Sequence, residues 1–372
     1  MKRIFMFAAF LFISLAAFSQ GRIRDYGIAP GIFKTGKNNA ITDVPGVKVG
    51  QVTLIRGNDV RTGVTAIVPH GDNIFKKKCP AAIYIGNGFG KLAGYSQVKE
   101  LGNIETPIVL TNTLSVAQGI EGLLTYTLNQ RGNEKVRSVN AIVGETNDGG
   151  LNNIRKRVVT EQDVLNAISK ATSGPVEEGA VGAGTGTVCF GFKGGIGTSS
   201  RVVPTSYGGY TVGVLVQSNY GGVLEIDGVP IGQMLGQYSF KSAVEKDLNP
   251  DGSCMMVVIT DAPLDARNLE RLAKRAMMGL AKTGGIASNG SGDYVIAVSV
   301  YKDNLIDEDT KYYLPTLLQN DDMSPLFEAT IEATAEALWN SLFKAKDMKG
   351  YDGKEIKALP VKKVVELMKA NK

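Results

Sequence analysis

A single histidine, His70, serves the whole 372-residue chain. That scarcity excludes a histidine-rich metal centre, and a Ser-His-Asp triad would have to be built on His70, which follows Pro69 in a loop. Cysteine is nearly as scarce. Cys79, Cys189 and Cys254 are odd in number and far apart, so at most one disulfide can form, and the apolar runs around Cys189 and Cys254 favour buried free thiols. An excess of one charge is also lacking: 41 Lys and Arg face 36 Asp and Glu, with no basic stripe outside the lysine-rich C-terminus, which argues against nucleic acid as the main partner. Long apolar runs are missing apart from Ile4 to Phe18. With Lys2 and Arg3 before it and the small residues of Ala17-Phe18-Ser19 at its end, residues 1–19 read as a cleaved secretory signal, too short for a membrane anchor. The expectation is a secreted, periplasmic protein with no stable membrane insertion.

Glycine, by contrast, is abundant. The 45 glycines gather between short β-branched runs, the pattern of many strands joined by tight connections. Strands are expected near Gln51–Leu54, fed by a turn over Ala40–Gly50, and near Gly63–Pro69, Ala81–Ile85, Ile108–Leu110, Ala141–Gly144 and Val212–Ser218. Helices are expected over Leu92–Leu101, Ser115–Asn129, Thr160–Thr172, Ala266–Lys282 and from Ser324 onward, with Trp339 in the core or an interface. Gly86-Asn87-Gly88-Phe89-Gly90 has the spacing of a nucleotide loop, but no acidic residue waits at the distance that reading needs. The glycine-dense stretch from Gly179 to Phe192 suits close backbone packing or approach to a ligand. The basic tail from Lys344 to Lys372, ending in a short amphipathic helix, reads as a solvated surface element.

The most readable unit begins at Asn249-Pro250-Asp251-Gly252, a turn that feeds the apolar strand Cys254 to Thr260. Ser253 stands at the boundary, directly after a glycine with no Cβ to hinder attack on its carbonyl. Its hydroxyl could attack the Gly252 carbonyl, turning the peptide into an ester that water opens to leave a chain beginning at Ser253. The free α-amine, with an ordinary pKa of about 7.7 to 8.0, could then serve as base on the nucleophile's own residue. The alternative is a plain loop before a core strand.

The helix after this strand, capped by Asp265, ends at Gly284-Gly285, and Ser288 to Asp293 leads into the strand Tyr294–Tyr301. A parallel crossover would place both strand starts at one sheet edge and bring Ser253 beside Ser291 and Asp293, a hydroxyl-carboxylate pair able to orient a proton without histidine. Two further strand exits carry candidates. Glu145 to Asn152 sets two acids among glycines, as a binding site or a solvated turn. Asn219 offers an amide to an oxyanion, or simply a turn.

Taken together, Ile41-Thr42-Asp43-Val44-Pro45-Gly46-Val47, Gly86 to Gly90, Glu105-Thr106-Pro107-Ile108, Gly144-Glu145-Thr146-Asn147-Asp148-Gly149, Gly182 to Gly195, Val216-Gln217-Ser218-Asn219, Asp251-Gly252-Ser253 and Thr260-Asp261-Ala262-Pro263-Leu264 resemble, in order and spacing, the L-aminopeptidase/D-esterase family of self-processing serine peptidases. That family includes the β-peptidyl aminopeptidases. The resemblance implies an α+β fold, a four-layer αββα sandwich similar to N-terminal-nucleophile hydrolases but differently connected. It also implies self-cleavage at Gly252-Ser253 into a larger chain, residues 20–252, and a smaller one, residues 253–372, within one catalytic domain, homo-oligomers of the processed pairs, and no cofactor and no metal. By position, Ser253 matches the nucleophile, Asn219 the oxyanion asparagine and Ser291 the second serine. Asp293 falls where β-peptidyl members carry glutamate, one methylene longer. Glu145 matches the carboxylate that holds the substrate's free ammonium, with Asn147 beside it, and Lys91 stands where an acidic residue is expected.

The reading is a self-processing serine aminopeptidase that removes the N-terminal residue from short peptides, amides or esters with a free N-terminus. The rivals are an acyltransferase similar to ornithine acetyltransferase and a non-catalytic secreted protein that binds a small ligand through the glycine turns.

Overall fold

A computed structural model describes residues 20–241 and 252–371. The expected signal over residues 1–19 and the turn at Asn249-Pro250-Asp251 lie outside them. The described chain forms two facing sheets. We number the long strands β1 (Lys48–Arg56), β2 (Val60–Val68), β3 (Lys77–Gly88), β4 (Ile108–Asn112), β5 (Ile142–Thr146), β6 (Gly195–Val202), β7 (Thr211–Asn219), β8 (Gly252–Thr260) and β9 (Ser291–Ser299). The main helices are α1 (Val116–Leu128), α2 (Glu161–Ser169), α3 (Ala266–Lys282) and α4 (Ser324–Phe343).

The first sheet runs β1-β2-β4-β5 and ends on the short strand Leu92–Ala93; the second runs β6-β7-β8-β9-β3. One apolar layer separates them, with Val49, Ile67, Leu110 and Ile142 from the first sheet meeting Ile83, Leu215, Met255, Val257 and Ile296 from the second. Strand alternation sends the other residues outward. Val64, Ala66, Val109 and Val143 pack on α1 and α2, while Val214, Met256, Val258 and Val295 pack on α3 and α4. The result is the expected α+β four-layer αββα sandwich. Each sheet has one parallel pair, β4 with β5 and β8 with β9, and each is joined by a helix, α1 and α3 respectively. None of the described helices is long and apolar enough to cross a membrane.

Helix signals were mostly well placed. Asp265 caps α3 by accepting the Asn268 N–H at 2.9 Å, and Thr160 forms a capping box with Asp163 at the start of α2. Trp339 is a core residue that donates from Nε1 to the Glu225 carbonyl. The expected helix over Leu92–Leu101 is shorter: Leu92–Ala93 pairs with β5, Gly94 turns at φ 83°, and the helix starts at Tyr95. The C-terminal tail also differs from its reading. Residues 348–349 and 355–356 form a hairpin whose loop donates from the Tyr351 N–H to the Leu151 carbonyl at 2.7 Å, and Val361, Val364 and Met368 of the last helix join the core, with that helix packed on the short helix Ile231–Met234.

Strand β6 was not foreseen. Its sequence, Gly-Ile-Gly-Thr-Ser-Ser-Arg-Val, lacks apolar alternation because α4 lies almost on its backbone: a Cβ on Gly197 would stand 1.9 Å from the Ala337 carbonyl oxygen. The polar atoms beneath the helix are paired. Arg201, fully buried, binds Glu332 and Glu336, each at 2.7 Å, and Arg24 shares Glu336.

Candidate active site

Ser253 is the second residue of β8, paired with Asn219 of β7 on one side and Gly292 of β9 on the other. It shares a face with Met255, toward the opposite sheet, and is 6% exposed at the floor of a cleft of about 1440 Å³. Gly252 cannot carry a side chain there. A Cβ would lie 2.9 Å from the Tyr220 backbone and 3.3 Å from Ser291 Oγ.

Asn219 is on the same face as Ser253. Its Oδ1 accepts the Val188 N–H at 2.9 Å, which leaves Nδ2 as the end available to a group in the cleft. Glu145 reaches the cleft from the exit of β5 in the other sheet. It is 3% exposed, and its two oxygens accept the Lys91 backbone N–H at 2.9 Å and the Thr113 hydroxyl. A carboxylate held by two donors and open to a cleft can take an ammonium as its third partner. Asn147 lines the same wall, exposed, and its Oδ1 caps the Gly149 N–H at 2.9 Å. The cleft therefore gathers Ser253, Gly252, Asn219, Glu145 and Asn147 from three strand ends.

Ser291 and Asp293 sit behind that floor. Parallel pairing puts Ser291 beside Gly252 and Asp293 beside Cys254, so their side chains share the helix-facing side with Cys254 while Ser253 faces the cleft. The Ser291 hydroxyl donates to Asp293 Oδ1 at 2.9 Å, and Oδ2 is buried with no hydrogen-bond partner. Burial pushes the Asp293 carboxyl up to about 6, against the Ser291 hydroxyl and the Cys254 backbone N–H, which favour the charged form. The pair thus adjoins the backbone at Gly252-Ser253 rather than the serine hydroxyl.

Other expectations find their place. His70 is remote, lining a smaller cavity with Asp72, Lys77 and Asp307, with its Nδ1 accepting the Asp72 N–H and its Nε2 at 2.9 Å from the Lys77 carbonyl. No histidine triad forms at Ser253. The Gly86–Gly90 stretch is no phosphate cradle: Asn87 donates to the Ser288 and Asn289 carbonyls and so fastens the turn that leads into β9. Cys79, Cys189 and Cys254 are buried free thiols. Among the described residues, no group of three or more His, Cys, Asp and Glu is placed to hold a metal. The sequence reading missed Thr113, a turn residue that holds Glu145, and Lys354 and Ile356, which the C-terminal hairpin brings to the cleft.

A serine at the start of a central strand, in an αββα sandwich and without histidine, is the arrangement of an N-terminal-nucleophile type serine hydrolase. The sequence profile of peptidase family S58 matches residues 39–356. The chain belongs to that family. It is 40% identical to the β-peptidyl aminopeptidase BapA of Sphingosinicella microcystinivorans, over 93% of this chain and 91% of that protein. Among solved structures, the PH0078 protein of Pyrococcus horikoshii OT3 superposes with a TM-score of 0.87 at 47% identity, covering 94% of this chain and 99% of that one. The L-aminopeptidase D-Ala-esterase/amidase of Ochrobactrum anthropi, described as a variant of the Ntn hydrolase fold, gives 0.86 at 32% identity, with 94% and 98% covered.

Proposed function

We propose that this chain is a self-processing serine aminopeptidase that removes the N-terminal residue from short peptides, amides or esters through an acyl-enzyme on Ser253. The observation that carries this reading is the cleft itself, where a serine, an oriented amide and a buried carboxylate converge. Maturation begins when the Ser253 hydroxyl attacks the Gly252 carbonyl, and hydrolysis of the ester leaves residues 253–372 with a free α-amine. The Ser291/Asp293 pair, flanking that nitrogen on the neighbouring strand beside Gly252 and Cys254, orients the amine so that it can accept the hydroxyl proton during catalysis. Asn219 Nδ2 donates to the oxyanion as it forms. Glu145 binds the substrate's free ammonium and sets the scissile carbonyl one residue away, which restricts cleavage to the N-terminal end. Asn147 shapes the same wall.

Secretion to the periplasm, supported by the composition of residues 1–19, and assembly of processed pairs into homo-oligomers belong to the same proposal. The test is an intact-mass spectrum of the wild type beside Ser253→Ala. Two chains, residues 20–252 and 253–372 at ~25 and ~13 kDa, are expected from the wild type and one intact chain from the variant. One intact chain in both would remove the maturation step.

A further inference from the structure

One buried charge near the cleft has no part in the chemistry above. Lys193, in the hairpin that pairs Val188–Cys189 with Phe192–Lys193, is fully buried. Its ammonium places all three donors on backbone carbonyls, Gly194 at 2.7 Å, Thr187 at 2.8 Å and Gly184 at 3.0 Å. Burial pushes its pKa down to about 7, with the charge of Asp148 acting against the shift. An ammonium in such a place is costly, and the groups it holds are where its effect must be sought.

One of those groups leads to Asn219. The Thr187 carbonyl and the Val188 N–H belong to the same planar peptide unit. Its oxygen lies on the lysine ammonium, and its N–H donates to Asn219 Oδ1 at 2.9 Å. A cation on the carbonyl oxygen draws electron density from the peptide, makes its N–H a stronger donor, and through that bond polarises the asparagine amide in the same sense. The rigid unit also fixes which way the amide points.

We propose that Lys193 is a positioning residue for the oxyanion site, acting on Asn219 Nδ2 through the Thr187-Val188 peptide. The proposal rests on the reading of Asn219 as the oxyanion donor.

A double-mutant cycle tests it: kcat and KM for an aminoacyl p-nitroanilide with wild type, Lys193→Met, Asn219→Ala and the double variant, all on processed enzyme. Lys193→Met leaves two of the freed carbonyls with another donor, since the Thr187 hydroxyl also serves Gly184 and the Gly194 N–H also serves Thr187. Should the methionine variant fail to fold, Lys193→Gln, which is neutral but keeps N–H donors, takes its place in the same cycle. Loss of an oxyanion donor lowers kcat by roughly 10² to 10³. Lys193→Met is expected to lower kcat by about tenfold with KM within twofold of wild type, and to have less than a twofold effect once Asn219 is alanine. A merely structural role would lower kcat by the same factor in both backgrounds, and that additivity would overturn the proposal while leaving Asn219 in place. An unchanged kcat in Lys193→Met would overturn it as well. If Asn219→Ala itself is fully active, the oxyanion reading fails, and the role of Lys193 fails with it.

Discussion

Asp293→Asn should make the unprocessed protein more stable and the processed enzyme less active, because one carboxyl is buried at the cost of folding. Asp293 is 1% exposed, with Oδ1 on the Ser291 hydroxyl and Oδ2 unpartnered, and burial raises it from 3.8 to about 6. At about 1.4 kcal/mol per pH unit, that difference amounts to about 3 kcal/mol. The folded state holds the proton more tightly than the unfolded one, so the group's contribution to stability is fully present below pH 3.8 and is lost as pH rises through about 6. Asparagine keeps the shape and has no such charge. The measurement belongs in a Ser253→Ala background, where no free α-amine forms to offer Asp293 a counter-charge. Urea unfolding at pH 4 and pH 8 should show the asparagine variant gaining on its parent by about 2 kcal/mol between the two. With Ser253 present, the same change should lower kcat by about a hundredfold at pH 8, the scale of a lost proton-transfer partner. An equal stability difference at both pH values would refute the burial argument. Unchanged kcat would remove the Ser291/Asp293 pair from proton handling.

Two further outcomes follow from other parts of the molecule. Glu145→Gln removes the charge that faces the substrate ammonium but keeps the acceptors for Lys91 and Thr113 reduced by one; KM for free-amine substrates should rise about tenfold or more, the worth of a charge-assisted bond, with kcat little changed, as steady-state kinetics will read. Arg201→Met takes the buried cation from Glu332 and leaves Glu336 with Arg24 alone, and urea unfolding should show a loss of about 3 kcal/mol, the usual result of breaking a buried pair from one side.

Much of this architecture was legible where local chemistry and fold agree. The run from Cys254 to Thr260, the amphipathic Ala266–Lys282 and the strand after Asp293 each carry their own period, and short connections force them into a parallel crossover; Ser253, Ser291 and Asp293 came together by that logic alone. What the pattern could not convey was the face each side chain takes. Ser253 looks into the cleft, while the hydroxyl-carboxylate pair looks away toward the helices, a distinction of one residue in register. Strand β6 was hidden because its residues are chosen by the nearness of α4 rather than by water on one side and core on the other. Lys193 was hidden for a related reason. A lysine in a glycine-rich segment reads as surface until the three carbonyls around its ammonium are seen. Thr113 and the C-terminal hairpin act at long sequence distance, where no local signal exists.

The strand order of the second sheet has a consequence for what the proposed maturation would do to folding. A cut between Gly252 and Ser253 leaves β8 and β9 in the smaller chain, yet these strands lie between β7 and β3 of the larger one, with α3 and α4 closing over them. The larger product would keep the first sheet whole, but neither product would own the second, and neither could bury the apolar faces of that divided sheet alone. A processed pair would hold together as one cooperative body without a covalent link, but its refolding would become an encounter between two different molecules, dependent on concentration, where that of the precursor is not. Each molecule would thus fold once as a single chain, and after the cut its persistence would rest on how slowly it unfolds rather than on its capacity to fold again.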